Sequence, residues 1–160
     1  MKKLFVLFAI SSFVFSCKKD GGGGGPKQYL LTEIKGDGLI ERRMEYNSDN
    51  LITRIEGYKQ EQTDNTVQTY IVFQYNSHNQ IKEYIGYGMP GNIPLAKITL
   101  QYDSSGRMFS SDYYDMQDGV QNTPIWTTAF TYNNKGLVIK TSRKNKSGKL
   151  IEQIKLAYYD

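Results

Sequence analysis

Tyr102-Asp103-Ser104-Ser105-Gly106-Arg107-Met108 decides the reading of this chain, because close copies flank it on both sides. Upstream stand Tyr46-Asn47-Ser48-Asp49-Asn50-Leu51-Ile52 and Tyr75-Asn76-Ser77-His78-Asn79-Gln80-Ile81, and downstream stands Tyr132-Asn133-Asn134-Lys135-Gly136-Leu137-Val138. A fifth tyrosine, Tyr158 after Leu156-Ala157, completes a series spaced 29, 27, 30 and 26 residues apart. A period in that range marks stacked supersecondary units.

Each motif position has a mechanical reason. Asn47, Asn76, Asp103 and Asn133 can accept hydrogen bonds from their own backbone two residues on, and Asn50, Asn79, Gly106 and Gly136 tolerate the left-handed conformation three residues later. That is a type I turn closed by a bulge, a common hairpin connection. The hairpin register predicts Tyr46 opposite Ile52, Tyr75 opposite Ile81, Tyr102 opposite Met108 and Tyr132 opposite Val138, a ridge of tyrosine and aliphatic side chains on one face.

Further breaks fall at 36–38, 60–66, 88–93 and 117–123, and Asn145-Lys146-Ser147-Gly148 repeats the turn chemistry without the tyrosine. Nine turns imply ten short strands; runs such as Tyr70-Ile71-Val72-Phe73 suit strands, and no long stretch has helical period. The expected fold is all-β, an antiparallel meander of about ten strands in a curved open sheet or a soluble barrel. Tyrosine turns then share one end, and the longer connections share the other, where ligand contacts usually sit. Arg54 and Glu56, Lys82 and Glu83, and Lys140 and Arg143 are expected to put charge on both faces, and mean hydropathy is −0.55. Both argue against a lipid-facing barrel.

Residues 1–17, with Lys2 and Lys3 before the apolar run Leu4–Phe15 and Ser16 before Cys17, have the layout of a secretory signal. A run of twelve residues falls short of the ~20 that span a bilayer as a helix. The division expected is a leader over 1–16, Cys17 with a glycine-rich tether over 17–27, and a repeat domain over 28–160. Gly21 to Gly25 cannot pack side chains, and a ten-residue flexible stretch reaches roughly 17 Å. Of 20 basic residues, Lys2 and Lys3 lie in the leader, leaving 18 against 16 acidic ones. That near-neutral balance removes the case for nucleic acid.

Val14-Phe15-Ser16-Cys17 resembles a bacterial lipobox, and glycine tracts after such a cysteine resemble lipoproteins of the Bacteroidetes group. Tyr102-Asp103-Ser104-Ser105-Gly106-Arg107-Met108 resembles the YD repeat of Rhs-type proteins. In length, leader and repeat the chain is similar to small Bacteroidetes lipoproteins with a porin-like antiparallel β fold. The resemblance implies acylation at Cys17 and anchorage to the outer membrane, facing either the periplasm or the outside. It carries over no catalytic residue.

Nucleophilic chemistry lacks its parts: Cys17 is committed to lipid, and the one histidine, His78, occupies a turn position. Asp112, Asp115 and Asp118 recur every three residues before Gly119, but this spacing differs from a calcium loop, and the reading preferred is a polar hairpin end. No metal or cofactor is expected. Tyr84, Tyr87, Tyr113, Tyr114 and Trp126 are the candidate ligand-contact aromatics, with a polar tip suited to sugars or protein partners, although strands favour tyrosine for structural reasons. The function expected is a non-enzymatic binding or scaffold role at the cell envelope, with the membrane as one partner and a glycan or envelope protein as another. Alternatives are a surface glycan-binding lipoprotein and a carboxylate-based hydrolase.

Overall fold

Each copy of the tyrosine motif folds as a hairpin. In a computed structural model the structure describes residues 30–36, 39–58, 66–117 and 123–158. Ten strands follow one another: β1 Glu33–Gly36, β2 Leu39–Tyr46, β3 Ile52–Tyr58, β4 Val67–Tyr75, β5 Ile81–Gly88, β6 Ile93–Tyr102, β7 Met108–Asp115, β8 Trp126–Tyr132, β9 Val138–Asn145 and β10 Leu150–Lys155. They form one antiparallel sheet in sequence order, with β1 and β10 as its edges. The open form is therefore the one adopted, and the barrel alternative is set aside. Cys17 and the tether lie outside the described residues.

The turns follow the expected chemistry closely. Asn47 Oδ1 accepts from the N–H groups of Asp49 and Leu51 (3.0 and 2.9 Å), and Asn76, Asp103, Asn133 and Asn145 do the same two and four residues on. Asn50, Asn79, Gly106, Gly136 and Gly148 have φ of 61°, 59°, 77°, 78° and 80°. Tyr46, Tyr75, Tyr102 and Tyr132 pair with Ile52, Ile81, Met108 and Val138 as expected. One residue later the register slips, leaving Thr53, Lys82, Phe109 and Ile139 as bulges. The connection expected over 88–93 is tighter, since β5 runs to Gly88 and β6 starts at Ile93. Gly91 and Asn92 make that reversal possible with φ of 99° and 54°.

Besides the backbone ladder, a tyrosine hydroxyl joins each hairpin to the one before it. Tyr46, Tyr75, Tyr102, Tyr132 and Tyr158 donate to the carbonyls of Leu31, Ile52, Ile81, Met108 and Val138 at 2.7, 2.8, 2.9, 2.6 and 2.8 Å. The acceptors lie just beyond the paired residues of the strands, two residues past Arg54↔Val72 for Ile52 and past Glu83↔Thr99 for Ile81. The hydroxyl extends the ladder where the strands have stopped pairing, so phenylalanine could not replace it. Burial pushes the hydroxyls of Tyr46, Tyr75, Tyr102 and Tyr132 above their ordinary value.

No second layer lies on this sheet among the described residues. Tyr58, Tyr70, Met116 and Ser110 are buried, at 8% exposure each, and no large side chain among the described residues is fully enclosed. Paired residues share a face, so the registers sort the side chains. Met44, Ile55, Ile71, Phe73, Tyr84, Ile98, Leu100, Tyr113, Trp126 and Phe130 lie with the ridge tyrosines. Glu33, Arg43, Glu45, Arg54, Glu56, Glu83, Lys97, Asp112 and Lys144 lie opposite. The expectation of charge on both faces thus fails over β2 to β8, where among register-paired residues only Arg42 and Asp115 are charged on the tyrosine face. It holds at β9, where Lys140 and Arg143 point opposite ways.

Candidate functional site

Strand alternation divides the candidate aromatics between the faces. Tyr84, Tyr113 and Trp126 lie on the tyrosine face in one cross-strand row with Phe73 and Ile98, whereas Tyr87 and Tyr114 lie on the charged face. Their rings are committed to neighbours. Tyr113 and Trp126 stack at 3.9 Å with 4° between planes, and Arg143 sits 5.5 Å from the Trp126 centroid. Tyr84 tilts against Phe73 at 5.7 Å, Tyr87 stacks on Tyr70 at 4.7 Å, and Lys97 lies 4.5 Å over Tyr114. Each such contact takes up one face of a ring. Burial pushes the hydroxyls of Tyr84 and Tyr113 up, with Asp115 adding to the effect at Tyr113.

The charged face holds a cluster absent from the sequence reasoning. Arg54 Nε and Nη2 reach Glu56 Oε1 at 3.0 and 2.9 Å, and the Tyr58 hydroxyl donates to Glu56 Oε2 at 2.6 Å. The Arg54 guanidinium lies 3.9 Å over Tyr70, whose hydroxyl donates to Asn92 Oδ1 at 3.1 Å. Arg43 reaches Glu33 at 3.2 Å and lies 5.6 Å over Tyr58. The spacing Arg54-x-Glu56-x-Tyr58 was legible as one strand face, but Tyr70 and Asn92 arrive from another strand and a turn. Lys35 first, then Arg43, hold the Glu33 carboxyl below its ordinary value; burial with the Glu56 hydrogen bond raises the Tyr58 hydroxyl. Both Glu56 oxygens are engaged, so the cluster clamps the sheet and offers no free base.

The other candidates separate. Asp112 accepts from Thr127 Oγ1 and from Gln101 Nε2 on the charged face, Asp115 lies on the opposite face, and Asp118 lies outside the described residues. Consecutive members of an every-third series on a strand cannot face one ion together. No group of three metal-capable side chains exists among the described residues. Glu83 and Asp112 share the charged face across Thr99, about 9–10 Å apart at Cα by strand spacing. They stand on an open sheet, and the oxygens of Asp112 are already engaged.

His78 lines a small cleft between two tyrosine turns with Gln80, Asp103, Ser104 and Gly106. Gln80 Nε2 closes it by donating to Gly106 O at 2.9 Å. The backbone N–H and guanidinium of Arg107, with the Ser105 N–H, hold the Asp103 carboxyl below its ordinary value. His78 Nδ1 lies 3.5 Å from Ser77 Oγ.

No family profile and no curated protein matches this chain. Among solved structures it is similar to a mutant of S. aureus TarM in complex with fondaparinux, alpha-GlcNAc-glycerol and UDP. Identity there is 13%, 72% of this chain is covered, and the TM-score is 0.28. The chain spans 20% of that protein's length. A likeness this slight carries no functional argument.

Proposed function

We propose that this chain is a lipid-anchored, non-enzymatic protein of the cell envelope whose sheet serves as a scaffold for a macromolecular contact. The observation that carries the contact is the sorting of most charge over β2 to β8 onto one face, which leaves the other lined by tyrosine and aliphatic side chains with no layer over it among the described residues. A broad open sheet surface of this kind suits a partner of protein size, whereas small molecules bind in concavities. The anchor rests on the leader and on Cys17, whose acyl chains would each contribute ~0.8 kcal/mol per buried methylene.

Replacing Cys17 with Ser tests the anchor. The wild-type chain is expected in the membrane pellet and the variant in the soluble fraction; equal pelleting of both would overturn anchorage.

A further inference from the structure

An antiparallel sheet with one charged and one apolar face buries the apolar face against a second layer. We propose that the second layer is another copy of this chain, packed tyrosine face to tyrosine face about a two-fold axis that runs along the strands between β4 and β5; this rests on the macromolecular contact proposed above. Such an axis lays β4 over β5, β3 over β6, β2 over β7 and β1 over β8. Strands stay roughly aligned, as in other face-to-face sheets.

Three observations select this occupant. The first is area. Eight overlapping strands at ~4.8 Å, about seven residues long at ~3.4 Å each, cover about 900 Å² per copy, close to the size of a standard stable interface. The second is charge. On the tyrosine face of β2 to β8, Arg42 and Asp115 are the charged register-paired residues, one on β2 and one on β7, the strands this axis superimposes. Neither has an ion-pair partner among the described residues. Arg42 Nη1 donates to Glu41 O at 3.0 Å, and Asp115 Oδ1 accepts from Gln117 N at 3.0 Å. They stand one row apart, Arg42 opposite Gly57 and Asp115 in line with Met44 through Ile55, Ile71, Gly86 and Ala96, within an arginine's reach. Beyond the overlap the face turns charged, and there Arg143 Nη1 pairs with Glu152 Oε2 at 2.9 Å.

The third observation is shape. Nothing lies within 4 Å of where a Gly86 side chain would project, leaving a recess in the middle of the face. The axis places Ile71 of the second copy above it, while Phe73 meets Tyr84 across the layers. The interface is self-complementary, as a two-fold contact must be.

Photo-crosslinking from position 98 of the full chain in its native membranes tests the proposal, with position 72 on the charged face as control. The expected result is an adduct at twice the chain mass from position 98 and none from position 72. Arg42→Asp or Asp115→Arg alone should lower the yield about tenfold, and the double variant should restore it, because the reversed charges meet again across the axis. Circular dichroism of each variant confirms that the sheet is kept. An adduct of any other mass overturns the second copy and leaves the macromolecular contact standing, whereas no adduct overturns both. A double variant that fails to recover overturns the two-fold arrangement.

Discussion

Tyrosine and Asx do separate jobs in the repeat, and the turn at Asn145 demonstrates it. That turn has all the side-chain and backbone bonds of its sisters, yet Lys144 precedes it in place of tyrosine. Asx therefore makes the turn, and tyrosine joins hairpins. The cost of removing a hydroxyl should track how dry its carbonyl is left. Tyr102→Phe is expected to lose about 1–2 kcal/mol in urea unfolding, since Ile81 O would be left part-buried without its donor. Tyr158→Phe should lose under about 0.5 kcal/mol, because Tyr158 is 51% exposed and water can replace it at Val138 O.

The same hydroxyls set an alkaline limit. Folding raises the values of Tyr46, Tyr75, Tyr102 and Tyr132, so their contribution is whole below the unfolded tyrosine value of ~10 and is lost as pH rises through the higher folded values. The melting temperature should fall above that pH, together with a late rise of tyrosinate absorbance. A fall beginning near pH 8 would contradict this. The motif made the tyrosine ridge legible beforehand. It did not reveal the hydroxyl's destination, which lies 15 to 24 residues away on the preceding hairpin.

At the scale of the hairpin, the position three residues after Asx needs a positive φ and little else. Gly136 has φ of 78°, and no atom lies within 4 Å of its would-be side chain, so substitution there is felt through the backbone alone. Gly136→Ala should cost about 1–2 kcal/mol, and Gly136→Asn much less, since Asn50 and Asn79 already occupy this position in two sister hairpins. Equal melting temperatures for the two variants would refute the reason given. Hairpin pairing was readable because turn and strands are contiguous. Which charges would face each other was not, because the bulges at Thr53, Lys82, Phe109 and Ile139 shift the alternation after each turn. That shift is why charges expected on both faces collect on one.

For the whole molecule, a single-layer meander couples each strand only to its neighbours, so stability is close to a sum over adjacent pairs. Hydrogen exchange should accordingly be slowest in β4 to β7 and fastest at β1 and β10; uniform protection would refute this picture. β10 is exposed along its whole length, and β1 has only four residues with a slipped register. Lys155 and Glu152 on one edge and Lys35 on the other are the kind of charges that discourage further strands from adding.

Period, turn chemistry and strand count are properties of neighbouring residues, and the amino-acid sequence alone determined them, down to which tyrosine pairs with which aliphatic residue. Whether the sheet closes, which face keeps the charge, and where each aromatic ring finds its partner depend on residues brought together from different strands. Only the tertiary structure decided these, because bulges and inter-hairpin bonds accumulate along the sheet, and no single stretch of chain contains their sum.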